Sequence, residues 1–288
     1  YYYFMWVTPI QSTSWRDENG YTDRDAEIEY REVYDLASYL LKTYSDSGKT
    51  FYFGHWEGDW LLLGSYNVSD NPDPKHIQNM IKWLNNRQRA VDDAKRDTPH
   101  NDVDIFHYTE VNLVEKGLRG QPCITTEVLP HTTVDFVSYS AYEVQLDHNL
   151  SKALDRTLDF IQKKIPAKKG LDGPRAFIGE FGYRGAAFGP EEQKVRSLEF
   201  TQAALEWGCP FVLYWQLYDN ELVGEKYNGF WLIDDHGEKQ PLFQALENYF
   251  SDTRLYVQEQ VDEKRSAPNR QKFNRKAREI LSDVTRKK

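Results

Sequence analysis

The sequence has few cysteines: Cys123 and Cys209 are the only two among 288 residues. Two thiols are too few for a disulfide framework, and the Cys/His spacing of a zinc site is absent. No apolar run reaches the roughly eighteen residues that suggest a membrane-spanning helix. A net charge of −9 gives no attraction for nucleic acid or an anionic membrane. We therefore expect no metal or other cofactor, and neither a nucleic-acid nor a membrane partner.

Nucleotide-binding motifs are also absent. No Gly-x-Gly-x-x-Gly or Gly-x-x-x-x-Gly-Lys-Ser/Thr follows a candidate strand, so the glycine loops that hold phosphates in open nucleotide-binding sheets are missing. The first residues, YYYFMWVTP, lack the charged start and the small-residue cleavage site of a signal peptide. Any signal peptide would lie upstream of Tyr1, so the sequence leaves localisation and oligomeric state open.

Aromatic residues, in contrast, are abundant: they make up 15% of the chain, with 8 Trp and 19 Tyr. Flat rings in such numbers are common in proteins that stack on sugars. Six apolar or β-rich runs alternate with segments of helical period. The candidate strands are 2–8, 51–56, 103–108, 134–139, 176–181 and 210–216. The candidate helices are 24–44, 74–96, 149–164, 191–207 and 241–250.

This alternation predicts an α/β protein with a parallel sheet and right-handed crossovers. Polar and aromatic side chains follow the ends of many of the strands, which favours a TIM (β/α)₈ barrel over an open sheet. Only six βα units are present, and residues 218–240 read as a loop. We therefore expect the missing strands to lie upstream, which makes this chain an amino-terminally truncated piece of a barrel.

The composition changes near the carboxyl terminus. Residues 252–288 carry 11 Lys and Arg against 6 Asp and Glu, although the whole chain is acidic. We divide the chain into a partial barrel domain, 1–251, and a charged helical tail, 252–288. We expect the tail to be a solvated helix, with partner binding as the alternative. That alternative would use the apolar stripe formed by Phe273, Ala277, Ile280, Leu281 and Val284.

Two glutamates end candidate strands. Glu57 follows the second strand, and Glu180 lies near the end of the fifth, between two glycines. Retaining glycosidases use two carboxyl groups about 5–5.5 Å apart, one as acid/base and one as nucleophile. Two glutamates at the mouth of a barrel can meet this need however far apart they lie in sequence. Asp59 is the alternative to Glu57, either as its structural partner or as the acid itself.

The order of these motifs resembles glycoside hydrolase clan A. In that clan the acid/base ends the fourth barrel strand and the nucleophile ends the seventh. "YFGHWEGDW" is similar to the fourth strand and "FIGEFGYRG" to the seventh, with the same three-strand separation. The resemblance then implies that 2–8 is the third strand and 210–216 the eighth, and that Glu57 and Glu180 are the catalytic pair of a retaining enzyme.

The resemblance also implies substrate contacts. Trp215 would stack beneath the sugar, and Tyr142 would hydrogen-bond the nucleophile, with Tyr139 as second choice. The clan usually has Asn directly before the acid/base, whereas this chain has Trp56 there, which puts the contact to the sugar 2-OH in question. The predicted substrate-binding residues are Trp215, Tyr142, His55, Trp56, His107 and Gln216. For His55, His107 and Glu110 a structural role is the stronger interpretation.

Two alternatives remain open at this point. A non-catalytic carbohydrate-binding barrel, or an inactive fragment of a glycosidase, would share the fold and the aromatic residues. An inverting hydrolase would have its carboxyl groups about 6.5–9.5 Å apart. In each case the partner is a carbohydrate, and the sugar, its linkage and endo or exo cleavage are undetermined.

Overall fold

The computed structural model describes residues 1–11, 15–16 and 19–286. Five parallel strands form one sheet in the order β1-β2-β3-β4-β5, so the predicted α/β class is confirmed. Each of the first five candidate strands corresponds to one of them. The strands are β1 (Tyr2–Trp6), β2 (Lys49–Gly54), β3 (Val103–Val111), β4 (Phe136–Ser140) and β5 (Ala176–Glu180).

The sixth candidate strand, 210–216, is not a regular strand, and this prediction was wrong. Its backbone pairs with β5 through one parallel bridge between Val212 and Ile178. Ile178 donates to Phe211 O at 3.1 Å, and Leu213 donates to Ile178 O at 3.0 Å. Trp215 then donates to Phe181 O at 2.9 Å, one residue beyond the partner that a regular parallel ladder requires. This shift in register interrupts the pairing before a full strand forms.

The helices follow the sequence periodicity closely. Thr22 caps α1 through a capping box with Asp25, and Asp73 caps α3. The helices are α1 (Asp23–Thr43), α2 (Gly58–Leu63), α3 (Pro74–Asp97), α4 (Val114–Leu118), α5 (Leu150–Lys164), α6 (Gly185–Phe188), α7 (Pro190–Trp207), α8 (Pro241–Lys264) and α9 (Arg270–Arg286). Within the loop 218–240, strands β6 (Leu222–Val223) and β7 (Lys226–Tyr227) form a short antiparallel pair.

The chain divides into two compact units. Unit 1 contains Tyr1–Glu143 and Arg156–Phe177. Its core lies between the helices α1 and α3 and one face of β2 and β3. That face carries Phe51, Phe53 and Ile105, at alternate strand positions. The opposite face carries aromatic rings, with Phe4 stacked on Tyr52 at 4.5 Å between ring centroids.

Unit 2 contains Val144–Asp155 and Ile178–Lys288. Its largest apolar cluster joins α7, α8 and α9. The predicted stripe on the tail forms part of this cluster: Leu281 is fully buried and Ala277 is 1% exposed. The expectation of a solvated tail was therefore wrong, because this face is covered by the unit's own helices. Helix α8 runs without a break through position 251, where the predicted domain boundary lies.

Among the described residues, no helix combines the length and the apolar character that a bilayer crossing requires.

Candidate active site

Glu57 lies in the turn between β2 and α2 and is partly buried. Its backbone N–H donates to Glu110 Oε1 at 2.8 Å. The next residue, Gly58, lies so close to β3 that an added Cβ would be 2.6 Å from the Glu110 carbonyl oxygen. A glycine is therefore required there, because any side chain would push this turn away from the end of β3.

Asp59 holds the same turn against the end of β3. Its Oδ2 accepts from the backbone N–H groups of Asn112 and Leu113 at 2.9 and 3.1 Å, and its Oδ1 accepts from Ile124 at 2.8 Å. In return, the Asp59 N–H donates to Asn112 Oδ1 at 3.0 Å. Asp59 is only 1% exposed, and burial raises its pKa although these N–H groups oppose that shift. Through these contacts Asp59 holds the turn in place, and the choice between it and Glu57 as the acid stays a prediction.

Glu110 has the structural role that the sequence favoured, but its contact with the backbone of Glu57 was not predicted. It lies near the end of β3, is 2% exposed, and is opposite Ser138 in the register of β3 and β4. Besides the Glu57 N–H, its carboxylate accepts from Ser138 Oγ at 2.9 Å. Burial raises the pKa of Glu110 to about 7, against the opposing effect of these donors. In the sequence, a glutamate within the mostly apolar strand β3 was the available signal for this role. The hydrogen-bond partners of Glu110, however, depend on the register between β3 and its neighbouring strands.

The two histidines are not on an open surface. Their burial contradicts their prediction as substrate contacts and agrees with the structural role that was the stronger interpretation. His55 is 5% exposed and its Nε2 lies 2.8 Å from Thr109 Oγ1. His107 is fully buried. Both continue the alternation of Phe51, Phe53 and Ile105, so they face the helices that cover the sheet. Burial lowers the pKa of His55 to about 3 and that of His107 well below its usual value.

Aromatic side chains surround Glu57 in sequence and remain partly exposed. Trp56 and Trp60 both contact Tyr66, at 6.4 and 5.7 Å between ring centroids. Tyr66 itself is 75% exposed. These three rings form an accessible aromatic group in unit 1, which is the type of surface on which sugars stack.

The two candidate tyrosines after β4 have different environments. Tyr142 lies in the short 3₁₀ turn Ala141–Glu143 and is partly exposed, so its predicted contact to the nucleophile remains a prediction. Tyr139 is fully buried, and its hydroxyl donates to Glu143 Oε1 at 2.9 Å. The second choice was therefore wrong, because this hydroxyl is already committed to another carboxylate.

In unit 2, Glu180 is the last residue of β5 and is 5% exposed. The backbone that follows it lies tightly against the segment that carries Trp215. A Cβ on Gly182 would be 2.3 Å from the Trp215 carbonyl oxygen, and Trp215 N–H donates to Phe181 O. The geometry thus brings Glu180 and Trp215 to the ends of two neighbouring backbone segments, as the sequence predicted.

A loop fixes the Trp215 side chain. Its Nε1–H donates to Glu221 Oε1 at 2.8 Å, and the peptide bond from Trp215 to Gln216 is cis. Asp219 holds the same loop by accepting from the N–H groups of Glu221 and Phe230 at 2.8 and 3.1 Å. Trp215 and Gln216 are both partly exposed, which leaves them accessible to a ligand.

In the part of the chain that the structure describes, no three His, Cys, Asp or Glu side chains cluster as metal ligands would. Near the end of β3, the carboxylates of Asp59 and Glu110 accept from backbone N–H groups and a hydroxyl group instead.

Comparison with known proteins gives matches in structure alone. No protein-family model and no curated protein matches this sequence. The solved structures that it resembles include a mutant of the glycoside hydrolase 5 lichenase from Caldicellulosiruptor sp. F32 in complex with cellotetraose, at a TM-score of 0.53 and 13% identity. GH5_18 from Streptomyces cattleya in complex with GlcNAc matches at 0.52 and 12%, and the catalytic core of xylanase A at 0.50 and 14%.

The fold is a partial (β/α)₈ barrel. The matches are (β/α)₈-barrel glycoside hydrolases of the clan that the sequence resembles. At these identities the likeness concerns the fold, and the described residues supply five parallel strands of it. The lichenase match covers 83% of this chain and 65% of the lichenase. The GH5_18 match covers 98% of this chain and 59% of GH5_18, and the xylanase match covers 84% of this chain and 75% of the xylanase core.

Proposed function

We propose that this chain carries the catalytic residues of a retaining glycoside hydrolase that cleaves O-glycosidic bonds in an oligo- or polysaccharide. Glu180 is the nucleophile and Glu57 is the acid/base. The observation that carries the proposal is Glu180, a nearly buried carboxyl group that ends a barrel strand beside the segment of Trp215. Burial of a carboxylate is costly, so a strand that ends on one in this setting favours a functional role.

The reaction has two steps. In the first, a Glu180 carboxylate oxygen bonds to the anomeric carbon while the bond from that carbon to the leaving oxygen breaks. Glu57 gives its proton to the leaving oxygen. In the second, Glu57 takes a proton from water, whose oxygen displaces Glu180 from the anomeric carbon. Two inversions give overall retention, and both glutamates return to their initial states.

The remaining assignments follow from exposure. Trp215 offers a partly exposed indole for stacking on the sugar, and Tyr142 and Gln216 are partly exposed candidates for polar contacts. Trp56 occupies the place where the clan usually has Asn, so it replaces a polar contact with an aromatic one. His55 and His107 take no part, because both are buried against the helices.

The proposal is tested with Glu180→Gln and Glu57→Gln on a panel of aryl glycosides and natural oligosaccharides. Glu127→Gln, which removes an exposed carboxylate, is the control. We expect Glu180→Gln to lower kcat by at least about 10³-fold without loss of sugar binding, while Glu127→Gln has wild-type activity. Retained turnover in Glu180→Gln would refute the assignment.

The same panel separates the alternatives. Product stereochemistry, followed by NMR during the reaction, shows retention for the proposed mechanism and inversion for the inverting one. The accessible rings of Trp56, Trp60 and Tyr66 favour the second candidate, a carbohydrate-binding barrel without activity. Sugar binding to the wild type without turnover of any substrate would select that candidate.

A further inference from the structure

Glu110 contacts the backbone of the proposed acid/base directly. Its Oε1 accepts from the Glu57 N–H at 2.8 Å, and its Oε2 accepts from Ser138 Oγ at 2.9 Å. The carboxylate thus joins the turn after β2 to β4 from its position on β3. It is 2% exposed, so water does not substitute for either donor.

We infer that Glu110 is a positioning residue, whose carboxylate holds the Glu57 backbone so that the Glu57 side chain is aimed at the leaving-group oxygen; this inference rests on the proposed function. A hydrogen bond to an ionised carboxylate is about twice as strong as one to a neutral acceptor. The Glu57 turn is therefore held most firmly when Glu110 is ionised. Misplacement of an acid by about 1 Å is enough to lower a rate by up to about 10²-fold.

Other charged groups near Glu110 do not take over this contact. From the segment after β2, Asp59 is committed to the N–H groups of residues 112, 113 and 124. His55 Nε2 lies 3.5 Å from the Glu110 backbone nitrogen and is bonded to Thr109. Glu57 itself meets Glu110 through its backbone, and β4 contributes the hydroxyl of Ser138. Glu110 is thus the side chain whose charge acts on the Glu57 N–H.

Substrates with different leaving groups distinguish a residue that positions the acid from a residue that only stabilises the fold. Protonation by the acid is needed when the leaving group is a poor one, such as phenol, and is not needed when it is a good one, such as 2,4-dinitrophenol. In Glu110→Gln, we expect kcat/KM for the phenyl glycoside to fall by about tenfold and that for the dinitrophenyl glycoside by less than about twofold. Equal losses for the two substrates, or no loss for either, would overturn the inference.

The matched control is Asp135→Asn. Asp135 is a carboxylate of unit 1 that is 3% exposed and accepts from the His107 N–H at 2.9 Å. In the described part of the chain its Oδ2 accepts from His107 in β3 and from Gln88 in α3 rather than from the turn that carries Glu57. This variant should therefore change kcat/KM for the two glycosides by the same factor. A selective loss for the phenyl glycoside in Asp135→Asn would show that the leaving-group dependence is not specific to Glu110.

A second measurement does not depend on activity. In Glu57→Gln, which removes the titration of Glu57, the amide proton of residue 57 should shift on ionisation of Glu110 with a midpoint near pH 7. Adding Glu110→Gln should abolish this titration, and its persistence would overturn the contact. If the amide titrates as expected but the wild type cleaves no glycoside, the proposed function fails while the contact between residues 57 and 110 stands.

Discussion

The two units hold their proposed catalytic residues in different ways. In unit 1, ionisable side chains hold the turn that carries Glu57: Glu110 accepts from Glu57 N–H, and Asp59 accepts three further N–H groups. In unit 2, backbone contacts hold the segment after Glu180, where Gly182 lies against the Trp215 carbonyl group. We therefore expect the segment of Glu57 to respond to pH and the segment of Glu180 to respond to added side-chain volume.

This distinction follows from the chemistry of the contacts. A carboxylate that accepts several N–H groups loses part of its acceptor capacity when it is protonated. A backbone contact has no titrating group and depends on the space between main-chain atoms. The predictions below test whether the two ends differ in this way.

The largest effect is expected for Gly182→Ala in unit 2. The added Cβ would lie 2.3 Å from the Trp215 carbonyl oxygen, so one of the two backbone segments must move. We expect a loss of ~3 kcal/mol in the free energy of unfolding and about a hundredfold lower kcat/KM, with no dependence of either loss on pH. Urea unfolding and kinetics at two pH values measure this.

The control for that variant is Gly224→Ala in the same unit. Gly224 has φ of 66° and nothing within 4 Å of an added Cβ, so only the left-handed backbone is penalised. We expect the free energy of unfolding to fall by ~1 kcal/mol and kcat/KM to stay unchanged. Equal effects of the two substitutions would mean that the contact to Trp215 is unimportant.

The second prediction concerns the pH dependence that Glu110 gives to unit 1. Burial raises its pKa from 4.5 to about 7, so the folded protein binds the proton more tightly than the unfolded chain does. As the pH rises, this carboxyl group therefore ionises at a lower pH in the unfolded chain than in the folded protein. The free energy of unfolding falls as the pH rises from about 4.5 to 7. This shift in the pKa of Glu110 corresponds to a loss of ~3 kcal/mol in the free energy of unfolding over this pH range.

Glu110→Gln removes this contribution. Urea unfolding of the wild type and the variant at pH 5 and pH 8 should show that the wild type alone loses the additional stability at the higher pH. The same pH dependence in both proteins would assign the effect to other groups and weaken the contrast between the two units.

Much of the architecture follows from the sequence. The helix α3 was predicted to within one residue at each end, because its apolar period is regular. Segment 210–216 was predicted as a strand from its apolar composition. Its one-residue shift in register arises from tertiary contacts around Trp215, which composition does not record.

The residues of the site were predicted less evenly. The position of Glu180 at the end of a buried strand was predicted, since a single carboxylate after an apolar run is an unusual pattern, and its catalytic role stays a proposal. The prediction of His55 and His107 as substrate contacts was wrong and the structural alternative agrees with their burial, as the period-two pattern that they share with Phe53 and Ile105 indicated. For Glu110 a structural role was favoured, but its contacts with Glu57 and Ser138 could not be predicted, because they depend on the approach of strands that are distant in sequence.

The third prediction tests the other carboxylate of the Glu57 turn. Asp59→Asn keeps the shape of the side chain but replaces one acceptor oxygen by an NH₂ group that faces backbone N–H donors. We expect the free energy of unfolding to fall by ~2 kcal/mol. Asp73→Asn is the control, because an Asn caps the start of α3 about as well as Asp, and no loss is expected there. A loss no larger than that of the control would contradict the structural role of Asp59.

The smallest expected effect comes from Ser138→Ala, which removes the hydroxyl donor to Glu110 Oε2 at 2.9 Å. The ionised form of Glu110 loses more than the protonated form, so its pKa should rise further and the loss of stability should extend to higher pH. We expect a cost of ~1 kcal/mol at pH 8 and less at pH 5, measured by urea unfolding. Ser38→Ala removes a buried hydroxyl that is bonded to Thr98, so its cost should be equal at the two pH values. An equal cost of Ser138→Ala at both pH values would show that the hydroxyl does not respond to the charge of Glu110, and that the acid/base end is as insensitive to pH as the nucleophile end.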